Sequence, residues 1–307
     1  MNGVLLIDKP SGSTSHDIVA RVRRILDEKR CGHTGTLDPF ATGLLILCLG
    51  RATRLSRFLT AAFKSYEATI RFGYATDTYD RTGTPVGAVR DYEPDREGLV
   101  RTLSSFEGRQ MQVPPAFSAK KFGGKRLYQL AREGVPVTAR PVEVEIQELE
   151  LLDIEGAEAR IRVTVSSGTY IRSLAHDVGE KLGAGAHLKE LRRIAIASFS
   201  VSEAVDLETL ETCATFGTGC AGASLLSPED ALRDLPSVDV GPDAARRLVN
   251  GQPPRWDELG SGWDVHTAPR HIRVLGPSGE LLAVCGPDER GMRPFVVWGK
   301  ARKTPKT

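Results

Sequence analysis

The sequence predicts an α+β fold. Three observations point there. "YEATIRFG" and "ARIRVTVSS" alternate apolar and polar residues with a period of two, the mark of half-buried strands. Helical stripes lie among these strands without a regular strand–helix–strand period, which argues against a doubly wound parallel sheet. The final quarter of the chain reads as short strands around Gly/Pro turns, a small β-rich unit. At 307 residues the chain is long enough for one large domain and a smaller one.

"GVLLIDKPSG" is a short apolar strand closed by Pro10 and Gly12. "STSHDIVARVRRILDEKR" follows as a helix: Thr14 caps it with Asp17 three residues on, and Ile18, Val19, Val22, Ile25 and Leu26 form one stripe. Arg21, Arg23, Arg24 and Lys29 make its outer face basic. The segment "ATGLLILCLGRATRLSRFL" runs from an apolar stretch into a second basic helix. In "YEATIRFG", Tyr66, Ala68, Ile70 and Phe72 share one face. In "ARIRVTVSS", Ile161, Val163 and Val165 do the same. "IRSLAHDVGEKLG" is helical through Ile171, Leu174, Ala175, Val178 and Leu182. "CATFGTGCAGASLLSPED" is rich in small residues and reads as a junction. Beyond it, "HIRVLGPSGELLAVCGPD" gives two strands and "PFVVW" another, before a basic tail. The expected division is a large domain over 1–230 and a small domain over 231–307.

The net charge of +2 announces no partner, so the placement of charge matters more than its sum. From Arg109 to Arg132 the chain carries six basic residues and no acidic one, interleaved with Phe117, Phe122, Tyr128, Gly123 and Gly124. Composition fits a solvated hairpin as well as an arm that grips a phosphate backbone. The five cysteines show no paired spacing and read as reduced thiols of a cytoplasmic protein. No stretch approaches the ~18 apolar residues of a membrane span. The six histidines are scattered, and neither a metal-binding pattern nor a Gly-rich nucleotide loop is present, so no metal and no cofactor are expected.

One passage stands out: "CGHTGTLDPFATGLL", with a single acid, Asp38, on a loop of small residues. By itself Asp38-Pro39 is an ordinary turn former. Tyr66 alone is a strand residue, and Arg172 alone a solvated arginine. Taken in order, however, "GVLLIDKPSGSTSHDIVARVRRIL", "GHTGTLDPFATGLL", "KSYEATIRFGYATDTYD", "VPPAFSAKKFGGKRLYQLAREG" and "SGTYIRSLAHDVGEKLGAGAHLKELRR" resemble the successive signature blocks of the TruB family, the bacterial tRNA pseudouridine-55 synthases. Phe117 departs from it, standing where the family usually has tyrosine.

The resemblance implies a pseudouridine-synthase fold. This is a mixed, mostly antiparallel sheet flanked by helices, with a thumb inserted at about 109–140 and a small C-terminal PUA-like RNA-binding domain. It implies Asp38 as nucleophile, with Tyr66 stacking on the flipped base and Arg172 pairing with the acid. It implies His33, Tyr170, Leu191, Asp80 and Lys9 as substrate-binding residues. Lys64 and the thumb residues Lys120, Lys121, Lys125 and Arg126 are expected on the RNA backbone. The implied partner is the T-arm and elbow of tRNA, bound by a monomer with no guide RNA and no membrane.

Overall fold

The computed structural model describes residues 1–115, 121–122, 125–126, 140–216, 225–259, 262–289 and 291–299. Lys120 lies outside these residues, as do the side chains of Lys121, Lys125 and Arg126. Only the backbone ladder of two short strands, β8 (Lys121–Phe122) and β9 (Lys125–Arg126), is described there.

A large mixed sheet forms the body. Its strands are β1 (Gly3–Lys9), β2 (Cys31–His33), β3 (Thr42–Leu49), β4 (Lys64–Phe72), β7 (Gly108–Gln112), β10 (Val142–Glu155), β11 (Glu158–Val165), β12 (Ala186–Ile196), β13 (Phe199–Ser200) and β14 (Leu225–Leu226). They run in the order β14-β1-β3-β12-β4-β11-β10-β7, with β2 on β3 and β13 on β12. The pairings are antiparallel except β3 with β12, where Thr42 lies opposite Arg192 and Gly43 opposite Arg193. A small ladder, β5 (Ala75–Thr76) with β6 (Pro85–Val86), lies outside the sheet.

Helices cover both faces: α1 (Ser15–Ile25), α2 (Ser56–Thr60), α3 (Arg96–Ser104), α4 (Ile171–Lys181), α5 (Leu207–Phe216) and α6 (Pro228–Ala231). The expected capping box on α1 is present, Thr14 accepting from the Asp17 amide and Asp17 from the Thr14 amide. The expected second basic helix is mostly 3-10 (Gly50–Leu55) before the short α2. The run "GLLILCL" is apolar at every position because both of its faces are covered. Leu44, Ile46 and Cys48 pack in one cluster, and Leu45, Leu47 and Leu49 pack with α1 in another. In β4 and β11 the apolar face packs against α3 and α4.

The C-terminal part is a four-stranded sheet, β15 (Ser237–Asp239), β16 (Ile272–Leu275), β17 (Leu281–Asp288) and β18 (Gly291–Val297), with α7 (Pro242–Val249) on it. It has a core of its own, built on Val238, Leu248, Ile272 and Val274. Leu281, Val284 and Val296 instead join Val4, Leu44 and Ile46 in the body. Among the described residues no helix is long and apolar enough to cross a membrane. Cys31, Cys48 and Cys285 are buried free thiols. Cys213 is disulfide-bonded, against the expectation of reduced thiols throughout; its partner lies outside the described residues.

Candidate active site

The chain leaves β2, loops through residues 34–41 and returns as β3, and Asp38 lies on that loop. Lys9, at the end of β1, fastens this loop: its Nζ donates to the carbonyls of Pro10 at 2.9 Å, Pro39 at 3.3 Å and Ala41 at 2.6 Å. The side chain has no exposed surface, and burial lowers its pKa to about 8. In this structure Lys9, expected at the substrate, meets the loop that carries Asp38. A lysine with every proton committed to carbonyls is a loop fastener. Ser15, at the start of α1, adds a second tie by accepting from the Leu37 amide at 2.9 Å.

Arg172 sits in the first turn of α4. Its Nη2 donates to Asp38 Oδ1 at 3.1 Å and its Nε lies 3.0 Å from Oδ2, a two-point contact between groups 134 residues apart. Nη1 donates to the Thr78 carbonyl at 3.1 Å and lies 3.5 Å from Asp80 Oδ2. Asp80 in turn accepts from the Thr78 hydroxyl and from the Thr82 amide, each at 2.9 Å. Tyr79 between them takes φ 62°, a strained value for a side chain of its size, and its ring stacks on His176 with centroids 3.9 Å apart. One arginine thus joins two acids and an irregular loop.

Asp38 keeps 31% of its side chain exposed, at the floor of a cleft of about 700 Å³. Crowding around the carboxyl pushes its pKa up, and Asp80 adds to the push. The Arg172 guanidinium and Lys9 oppose it. Tyr66 from β4, Tyr170 and Leu191 from β12 line the same cleft, with Asp80 and Lys64. Tyr170 is anchored through its backbone: its amide donates to Gln112 Oε1 at 2.8 Å and its carbonyl accepts from Gln112 Nε2 at 3.0 Å.

Two of the expected residues sit apart from the others. His33 does not line the cleft; His16 does, with the two rings edge to face at 5.2 Å. Burial lowers the His33 pKa, helped by His16 and Arg193. Lys64 is buried rather than displayed on the surface. Its Nζ donates to the carbonyls of Thr60 at 2.9 Å and Ala62 at 2.7 Å. His16 and Arg193, in "STSHD" and "LKELRR", also line the cleft, and no local pattern marks them for it. Among the described residues no cluster of three or more His, Cys, Asp or Glu side chains could hold a metal ion.

A family model described as TruB family pseudouridylate synthase, N-terminal domain, matches residues 23–171. A second, tRNA pseudouridylate synthase B C-terminal domain, matches residues 172–233. The chain is 44% identical over 284 residues to tRNA pseudouridine synthase B of Solibacter usitatus (strain Ellin6076), covering 92% of this chain and 95% of that protein. It is 49% identical over 257 residues to the protein of the same name from Aquifex aeolicus (strain VF5), covering 82% and 86%. Among solved structures it resembles a chain of a Cbf5-Nop10-Gar1 complex with TM-score 0.79 and 26% identity, over 99% of this chain and 87% of that one. A chain of the archaeal box H/ACA sRNP Nop10-Cbf5 complex matches with TM-score 0.76 and 25% identity, over 100% and 89%. With relatives this similar along nearly its whole length, the chain belongs to the TruB family of pseudouridylate synthases.

Proposed function

We propose that this protein is a stand-alone tRNA pseudouridine synthase that converts uridine to pseudouridine at position 55 of the T-loop. The observation that carries the reading is Asp38, held at two points by Arg172 on the floor of a cleft walled by Tyr66, Tyr170 and Leu191. The reaction breaks the N1–C1′ bond, turns the uracil and joins C5 to C1′. C5 gives up a proton and N1 gains one, so it is an isomerisation with no redox change. A carboxylate can attack C1′ or C6, or stabilise a glycal route, and each needs an ionised, aimed acid.

A stacked loop base must be extruded at a cost of a few kcal/mol. Tyr66 returns ~1–3 kcal/mol by stacking on it, with Tyr170 and Leu191 closing the apolar walls. Asp80 positions Arg172. His33, edge to face with the cleft-lining His16, helps flip the target uridine by filling the space that the base vacates. Lys120, Lys121, Lys125 and Arg126 supply phosphate contacts that make affinity salt-dependent. A division near residue 230 draws support from the core that the β15–β18 sheet keeps for itself, although α6 spans 230/231 and Ala231 packs with the body.

The test is tritium release from tRNA carrying uridine tritiated at C5, with the product position mapped. Release at position 55 from a bare transcript supports the reading. The likeness to Cbf5 chains of guide-RNA particles favours a second reading, in which turnover requires an added guide RNA.

A further inference from the structure

Among the described residues, two cations that line the cleft form no ion pair with an acid. Arg193 on β12 is 1% exposed and is the cross-strand partner of Tyr66. Its Nε donates to the Leu44 carbonyl at 2.7 Å and its Nη2 to the Gly35 carbonyl at 3.1 Å. Lys64, two residues before Tyr66, is 6% exposed and bonded to two carbonyls. Both side chains line the cleft that contains Asp38. The acids of that cleft, Asp38 and Asp80, are both engaged by Arg172. Among the described residues neither Lys64 nor Arg193 forms an ion pair.

Burying a cation against neutral carbonyls alone is costly, and a counter-charge offsets it. Arg193 makes matters worse for Lys64: burial, then the guanidinium, lowers the lysine pKa to about 8. Between the two cations lies Gly35. A Cβ placed there would be 3.6 Å from Arg193 Nη1 and 3.6 Å from the Lys64 Cε, so the absence of a side chain leaves that space open. Thr34 lines the same wall, and its buried hydroxyl has no hydrogen-bond partner among the described residues.

We propose that Lys64 and Arg193 form an anion subsite beside Gly35 that holds a phosphodiester group adjoining the target nucleoside. This rests on the tRNA pseudouridine synthase reading and extends it to a specific anchor next to the chemistry. The guanidinium offers a planar fork to a phosphate oxygen and the ammonium a point charge. With the phosphate held there, the attached nucleoside lies between Tyr66 and Asp38. A neutral backbone linkage would remove the counter-charge while leaving base and sugar intact.

The experiment uses the full chain and T-arm stem-loop RNAs in which the phosphate on the 5′ or the 3′ side of the target uridine is a neutral methylphosphonate. Binding and single-turnover pseudouridine formation are measured for the wild type and for Lys64→Met and Arg193→Lys. One of the two neutral linkages should weaken wild-type binding about tenfold, the size of a charge-assisted contact, and thereby identify which phosphate is held. The same linkage should cost Lys64→Met much less. Arg193→Lys, which keeps the charge and loses the fork, should fall between. If neither linkage affects the wild type, or if the loss is equal in Lys64→Met, the subsite is wrong. The wild-type arm decides even if a variant fails to fold. Failure of the unmodified RNA to form pseudouridine would instead overturn the functional reading.

Discussion

Asp38 faces opposing forces. Burial and Asp80 hold its carboxyl above the usual range, and Arg172 opposes them. Removing the guanidinium while keeping a polar side chain, as in Arg172→Gln, raises the carboxyl pKa further. At a given pH more of the acid is then protonated, so the acid limb of the rate profile moves to higher pH. Single-turnover rates between about pH 5.5 and 9 should fall about a hundredfold at the acid end and less at the alkaline end. Profiles of the same shape in both proteins would mean that Arg172 does not set the ionisation of Asp38. The residue types of this site were legible as a family pattern. Their roles as neighbours were less so, because no local spacing links Asp38 with Arg172, 134 residues away. Lys9 and Lys64 show the limit most plainly. A lysine reads as a surface cation, yet both are buried on backbone carbonyls that no residue pattern reveals.

At the scale of elements, the site depends on how closely β3 approaches β12. Gly43 takes φ +100°, and a Cβ there would lie 2.2 Å from the Arg193 carbonyl oxygen. Gly43→Ala therefore meets both a backbone clash and a strained conformation and should cost ~3 kcal/mol or more. Urea midpoints would show it, and a loss below about 1 kcal/mol would contradict this packing. Strands β4 and β11 were legible because an unbroken period of two survives on their buried faces. Strands β10 and β12 were not. Each carries two register shifts, at Ile146/Glu148 and Leu151/Asp153 in β10 and at Leu188/Glu190 and Arg193/Ala195 in β12. Each irregularity resets the alternation and hides the strand. In β12 the buried Arg193 breaks the hydrophobic pattern as well.

The whole molecule is tied together by a core that ignores the sequence boundary. Val284 and Val296 of the C-terminal sheet pack with Val4 and Ile46 of the large one. Arg51 lies over the Trp298 ring, 4.9 Å from its centroid, and donates to the Trp298 carbonyl. The small domain was legible as strands and turns, but its shared core was not, because alternation does not say which sheet a face meets. All three tryptophans, Trp256, Trp263 and Trp298, belong to the C-terminal part. Their fluorescence therefore reports on that part, while far-UV circular dichroism reports on the whole. The two urea transitions should coincide. Tryptophan fluorescence changing at clearly lower urea would show that the small domain unfolds independently.

The central claim, that Asp38 is the nucleophile, is tested most directly by Asp38→Asn, with tRNA binding and single-turnover pseudouridine formation measured on the same protein. Asparagine keeps the size and serves a turn about as well. It also removes a partly buried carboxylate whose ionised form is disfavoured by desolvation, which raises its pKa, so melting temperature at pH 7 should hold or rise slightly. The account predicts a protein that folds, binds tRNA with nearly unchanged affinity and loses several powers of ten in rate. A variant that binds and isomerises at a rate comparable to the wild type would return Asp38 to the role of a turn residue.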